Sequence, residues 1–199
     1  REESGISAIF TEGLEGRDVQ GKGKMAPVKG GAYLSPDFRY AMIYAIGGVL
    51  MGSKSLRDIP ESEQYGFIYT VPKKNLQDVH PDEDSLGELV YQNIDKPEYS
   101  WLVGIAKQVA TPLQIKKLKE GIYAEFAAVG KKILKKLTDA QKLKIINSGS
   151  HLFNLGKVPV SGCYVLRRDH TEVLTGDLDK DSKYMVFITK AEELPAAKE

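Results

Sequence analysis

The sequence predicts an α+β fold, on three observations. β-prone runs occupy both ends of the chain, and apolar residues at helical spacing fill the middle, from 82 to 148. The stretch GGAYLSPDFRYAMIYA (30–45) reads as a short apolar strand running straight into a helix. Strands, a helical block and strands again suit α+β better than an alternating α/β layout.

Residues 6–10 (ISAIF) are short, apolar and β-prone, and predict a first strand. TEGLEGRDVQGKGKMAPVKGG, rich in Gly and Lys, follows as a long loop, of a length usually functional or disordered. The strand of the 30–45 stretch ends near Leu34. Ser35 then offers an N-cap with Pro36 at the first helical position, since the hydroxyl accepts an orphan N–H and Pro has none to lose. Phe38, Met42 and Ala45 carry the helical spacing, and Gly47, Gly48 and Gly52 mark its end. Residues 53–64 are polar and read as a loop. YGFIYTV (65–71), β-branched and aromatic and closed by Pro72, is the clearest strand in the chain.

In the middle block Leu86, Leu89 and Val90 come first, then Trp101, Leu102 and Ile105. Thr111-Pro112 is an N-cap and N1 pair opening PLQIKKLKE, which Gly121 closes as a C′ residue. Residues 122–137 read as an amphipathic helix with a lysine-bearing wet face, and Thr138 or Asp139 caps a last helix through Ile146. HLFNL, GKVPVSGCYVLRR and KYMVFIT then return the chain to β structure, and the tail AEELPAAKE reads as frayed. The whole is expected to be one domain, 1–199, with 82–148 a helical insertion or lobe.

A chain of 199 residues with 42% hydrophobic and 28% charged residues has the make-up of an ordinary globular protein. The net charge of +1 gives no uniform basic field, so nucleic acid is not an expected partner. No apolar run approaches the roughly 18 residues that span a bilayer, so no membrane partner is expected either. Cys163 is the single cysteine, which excludes an internal disulfide and a thiolate metal cage and allows work in a reducing cytoplasm. The chain opens on Arg1 rather than Met and reads as an excised fragment, so a targeting segment would not be visible.

Several sites fail on inspection of their residues. DLDKDS (177–182) starts like a calcium loop, but the position that needs a bidentate Glu is Ile188, and a hairpin turn is the expected structure. His80, His151 and His170 lack paired spacing, so no metal is expected. Cys163, inside a strand, is expected to be buried and inert. Glu98 and Glu125 lie in helical context, where a solvated or capping role is the default. The lysines at 116, 117, 119, 131, 132, 135 and 136 suit either a solvated face or a basic surface for a partner.

Together these pieces resemble the ADP-ribosyltransferase superfamily, whose members bind NAD in a cleft between two small sheets and transfer ADP-ribose, releasing nicotinamide. GAYLSPDFRYAMIYA is similar to the central strand and helix of the polymerase-like branch. There one tyrosine at the strand end and another in the following helix sandwich the nicotinamide ring; Tyr33 and Tyr44 stand at those places. In the toxin-like branch the strand carries Ser-Thr-Ser, whose last serine falls on Ser35. YGFIYTV resembles the strand that follows in cholera-like and pertussis-like toxins. HLFNLGKVPVSGCYVL looks like their catalytic segment, with its spacing kept to Val158-Pro159, but His151 occupies the place of the catalytic Glu. The first strand of the family carries an Arg or His after an aromatic, whereas here Thr11 follows Phe10.

The resemblance implies NAD as substrate and no metal. It places Phe10, Thr11, Arg17, Tyr33, Phe38 and Tyr44 at the cofactor, with Arg17 replacing the lost phosphate-binding arginine. His151 would act as base or orienter and Ser35 would support the ribose. Glu125, in YAEFAAVGKKI, or Glu12 would supply the missing carboxylate, because cleavage of the nicotinamide–ribose bond develops positive charge on the sugar. The implied activity is mono-ADP-ribosylation of a protein target by a toxin or effector, secreted or translocated into a host cytoplasm. Two other readings stay open: a catalytically silent module of the same fold that binds NAD or a protein partner, and an unrelated α+β domain. Taken by themselves, Tyr33 and Tyr44 can equally be core packing.

Overall fold

A helix, not a strand, begins the chain. The computed structural model describes residues 2–15, 31–50, 65–167 and 174–197. In chain order the elements are α1 (Glu2–Glu12), β1 (Gly31–Leu34), α2 (Phe38–Leu50), β2 (Tyr65–Thr70), β3 (Asp78–Pro81) and α3 (Glu83–Gln92). They continue with α4 (Ser100–Val109), α5 (Pro112–Lys119), α6 (Tyr123–Leu134), α7 (Asp139–Asn147), β4 (Leu152–Leu155) and β5 (Gly162–Arg167). The last are α8 (Leu178–Asp181), β6 (Met185–Ile188) and α9 (Leu194–Ala197). The class is thus α+β, with two three-stranded antiparallel sheets ordered β1-β4-β3 and β2-β5-β6. They belong to two compact units, residues 1–15, 37–77 and 156–199 in the first and 16–36 and 78–155 in the second.

In the first unit, the strand expected at 6–10 is replaced by α1. Ile6, Ile9 and Phe10 fall at i, i+3 and i+4, and five residues are too few to separate that spacing from β alternation. Ile6 is buried against Cys163, Val165, Ile188, Leu194 and Ala197, so α1 and α9 cover one face of the β2-β5-β6 sheet. Leu194 is buried; the tail expected to fray is docked instead, and Glu193 Oε2 accepts from Thr189 N at 2.7 Å. On the other face Met42 of α2 packs with Ile68, Leu166 and Met185. A strand covered on both sides reads as a continuous apolar run, which is what CYVL in β5 shows. Gly66 lets α2 come close, since a Cβ there would sit 2.7 Å from the Ala45 carbonyl oxygen.

Two boundaries of α2 differ from the expected ones. Asp37, not Ser35, caps it: its side chain accepts from Arg39 N at 2.9 Å. Both residues are good caps, and α2 starts at Phe38, which puts Asp37 in the cap position. The helix also runs through Gly47 and Gly48 to Leu50, each glycine costing only about 1 kcal/mol relative to Ala in a helix interior. The expected turn at 177–182 is a helical one, with Asp177 accepting from Asp179 N at 3.1 Å. Asp181 is buried and gathers Thr175 N, Thr175 Oγ1 and Gly176 N at 2.7–3.1 Å.

In the second unit the helical block forms as expected. Thr111 and Thr138 each close a capping box, with Gln114 and Gln141, and Gly121 takes φ 72° just past α5. Leu86, Val90, Leu102, Ala106, Leu118, Val129 and Ile133 make the centre of its core. α3 and α6 touch backbone to backbone. A Cβ on Gly87 would collide with the Phe126 main chain, and one on Gly130 with that of Glu83. β3 is unforeseen. DVHP has no strand pattern of its own and is extended through pairing with β4, His80 opposite Phe153.

Candidate functional site

The second unit carries an aromatic row across its sheet. Cross-strand register puts Tyr33 of β1, Phe153 of β4 and His80 of β3 side by side, hence on one face. The Tyr33 and Phe153 rings are 5.6 Å apart at 39°, and His80 stacks on Phe153 at 5.1 Å and 20°. Phe153 is buried, whereas Tyr33 is 40% exposed, so the row presents an accessible aromatic surface at its β1 end. His80 Nε2 lies 2.8 Å from Asp78 Oδ1.

Beside the row α3 begins with three consecutive acids. Asp82 is the N-cap, its carboxylate accepting from Asp84 N at 2.9 Å. Its burial pushes its pKa up to about 6, against the Asp84 N–H that favours the ionised form. Burial likewise raises Asp84, opposed by the Tyr123 hydroxyl at 3.2 Å and by Lys131. Glu83, between them, is 3% exposed. Its Oε1 accepts the Tyr33 hydroxyl at 2.8 Å, and its Oε2 has no hydrogen-bond partner among the described residues. Most buried polar atoms in native proteins have a partner, so this one asks for an explanation.

The residues expected at the site are distributed as follows. Tyr33 and Ser35 end and follow β1, and His151 leads into β4, where its carbonyl accepts from Asp82 N at 2.9 Å. That bond ties the start of β4 to the residue before Glu83. Glu125 is not solvated: it is 2% exposed on α6, with Gln114 Nε2 at 3.3 Å and Lys117 Nζ at 3.7 Å. Lys132 Nζ donates to Gln114 Oε1 at 2.8 Å, so Lys117 and Lys132 reach into this network, while Lys116, Lys119, Lys135 and Lys136 are exposed.

Other expected residues lie in the first unit. Phe10 meets Tyr69 edge-on at 6.5 Å, and Thr11 Oγ1 donates back to Ser7 O at 2.8 Å within α1. Phe38 packs edge-on against Tyr164 at 6.2 Å. Glu12, at the end of α1, pairs with Lys157 at 2.8 Å, a bond that lowers its pKa. Cys163 is buried, which pushes its thiol up to about 12 and leaves it a packing residue. Arg17 and the Tyr44 side chain lie outside the described residues. No group of three or more His, Cys, Asp and Glu able to hold a metal ion occurs among the described residues.

Glu83, the residue with the most unusual surroundings, escaped the sequence reading. Its signal was present in PDED before the helical spacing of Leu86, Leu89 and Val90, a sound helix start. Nothing in that motif announces that its middle acid turns inward to a tyrosine fifty residues earlier. Comparison with protein-family models, curated proteins and solved structures finds no match.

Proposed function

We propose that this chain is a divergent NAD-dependent mono-ADP-ribosyltransferase, acting on a protein target as a toxin or effector in a host cell. The observation that carries the reading is Tyr33, a half-exposed ring at the end of β1, on the strand that pairs with the one His151 precedes. The nicotinamide ring of NAD stacks on Tyr33, Ser35 supports the ribose, and His151 orients or deprotonates the attacking group. The bond from ribose C1′ to the nicotinamide nitrogen breaks with its electron pair leaving on nicotinamide. A lone pair of the target side chain then forms the new bond to C1′, and the target's proton passes to His151. Support from the fold is limited to its class, α+β with two three-stranded antiparallel sheets.

A catalytically silent module that binds NAD or a partner is the second reading. It is favoured by Glu125, whose carboxylate is engaged by Gln114 and Lys117. The deciding experiment follows tritiated nicotinamide released from NAD in the presence of eukaryotic lysate, wild type beside His151→Ala. Release that is lost in the variant supports the transferase. Binding of NAD without release supports the silent module, and neither binding nor release removes the transferase and the NAD-binding form of the module.

A further inference from the structure

The geometry points to the Tyr33–Glu83 pair as a receptor for a positively charged flat ring, a pyridinium or comparable cationic heteroaromatic, in preference to its neutral counterpart. The inference deepens the reading above, which takes the Tyr33 surface as ligand-bearing, but it needs no turnover.

Two independent features lead to it. The first is the hydrogen bond from the Tyr33 hydroxyl to Glu83 Oε1, at 2.8 Å. A phenol that donates to a carboxylate takes on part of the character of a phenolate, and its ring becomes richer in π density. Such a face attracts cations more strongly, because cation–π attraction follows the negative potential over the ring. This ring is the accessible member of the row, at 40% exposure.

The second is Glu83 Oε2. It is buried and has no hydrogen-bond partner among the described residues, so only one oxygen of the carboxylate is compensated there. Buried negative charge of this kind is costly unless a cation or a donor comes near it. The neighbouring acids are differently placed: Asp82 caps α3, and Asp84 has the Tyr123 hydroxyl and the influence of Lys131. His80 and Asp78, the charged or titratable members at the far end of the row, are bonded to each other. The under-compensated charge therefore lies at Glu83, at the hydroxyl edge of the exposed ring. A cationic ring laid on Tyr33 meets both the enriched π face and this charge. A neutral ring of the same shape meets only the stacking surface.

The test uses two probes of nearly equal shape, 1-methylnicotinamide, which is cationic, and nicotinamide, which is neutral. Affinities are measured by titration calorimetry or by chemical shifts of Tyr33. The expected result is a preference for the cation of about tenfold or more in wild type. Glu83→Gln keeps the shape and removes the charge, and should bring that preference towards unity with nicotinamide affinity little changed. Tyr33→Phe keeps the ring and removes the hydroxyl, and should reduce the preference several-fold even if Glu83→Gln fails to fold. Equal affinity for the two probes, a preference unaltered in both variants, or no binding of either probe overturns the inference. A cation preference without nicotinamide release would leave the receptor standing and remove the transferase. Release without the preference would do the reverse.

Discussion

The Tyr33 hydroxyl donates to Glu83 Oε1 at 2.8 Å, joining the end of β1 to the first residue of α3. Glu83 Oε2 has no hydrogen-bond partner among the described residues, so Tyr33→Phe should leave a buried carboxylate worse compensated and cost about 1–3 kcal/mol of stability. Glu83→Met, similar in length and without hydrogen-bonding capacity, removes the charge together with its need for a partner. In a denaturant double-mutant cycle the Tyr33→Phe penalty should shrink by at least about 1 kcal/mol in the Met background. Strict additivity would mean that the bond is not energetically significant.

Asp82 gives the second prediction. Burial raises its folded pKa to about 6, above the ordinary carboxylate value, so the folded state holds a proton that the unfolded chain has lost over the window between them. Stability from this group therefore falls as pH rises through that window and is fully restored below it. Asn caps a helix as well as Asp and carries no charge. Asp82→Asn should stabilise the protein at pH 7 by up to about 3 kcal/mol and have little effect near pH 4. Urea midpoints at the two pH values give the comparison, and an equal effect at both would contradict the assigned cause.

Asp181 behaves in the opposite sense. Burial works to raise its pKa, but the hydrogen bonds from Thr175, Gly176 and Asp177 outweigh it and hold it below the ordinary value. Its contribution is complete above the ordinary carboxylate pKa and is lost as pH falls through the folded one. Asp181→Asn should destabilise the protein at pH 7 by about 2–4 kcal/mol, with the deficit narrowing in acid, because an amide cannot accept all the donors gathered here. A deficit independent of pH would show that the charge is immaterial.

What the sequence disclosed and what it did not have a common physical origin. The caps at Thr111 and Thr138 were legible because a cap signal lies within a few residues of the helix it starts, and the structure adds Gln114 and Gln141 as the reciprocal halves of capping boxes. YGFIYTV and CYVL were legible because strands covered on both faces are apolar throughout. ISAIF was not, since a five-residue apolar run fits either period and the unit supplied a sheet face for a helix to cover. DVHP was not, since its extended form depends on β4, some seventy residues later in the chain. At the candidate site, Tyr33 and its strand could be read locally. Glu83 could not, because its role is set by a tyrosine from another element and by a helix crossing behind it.

That crossing supplies the last prediction, a comparison of two alanine substitutions within one unit. Gly130 lies on α6 where the α3 backbone passes, and an added Cβ would overlap the Glu83 main chain. Gly104 lies on α4, where an added Cβ meets nothing within 4 Å. Helix propensity alone would make both substitutions stabilising by about 1 kcal/mol. Gly104→Ala should show that gain. Gly130→Ala should instead lose about 3 kcal/mol or more, since backbone cannot yield as a flexible side chain can, and the displaced α3 would carry Glu83 away from Tyr33. The Tyr33 ring signals, followed by nuclear magnetic resonance, should move in Gly130→Ala and stay in place in Gly104→Ala. If both variants were stabilised, the close approach of α3 and α6 would have to be wrong, and with it the support behind the Tyr33–Glu83 pair.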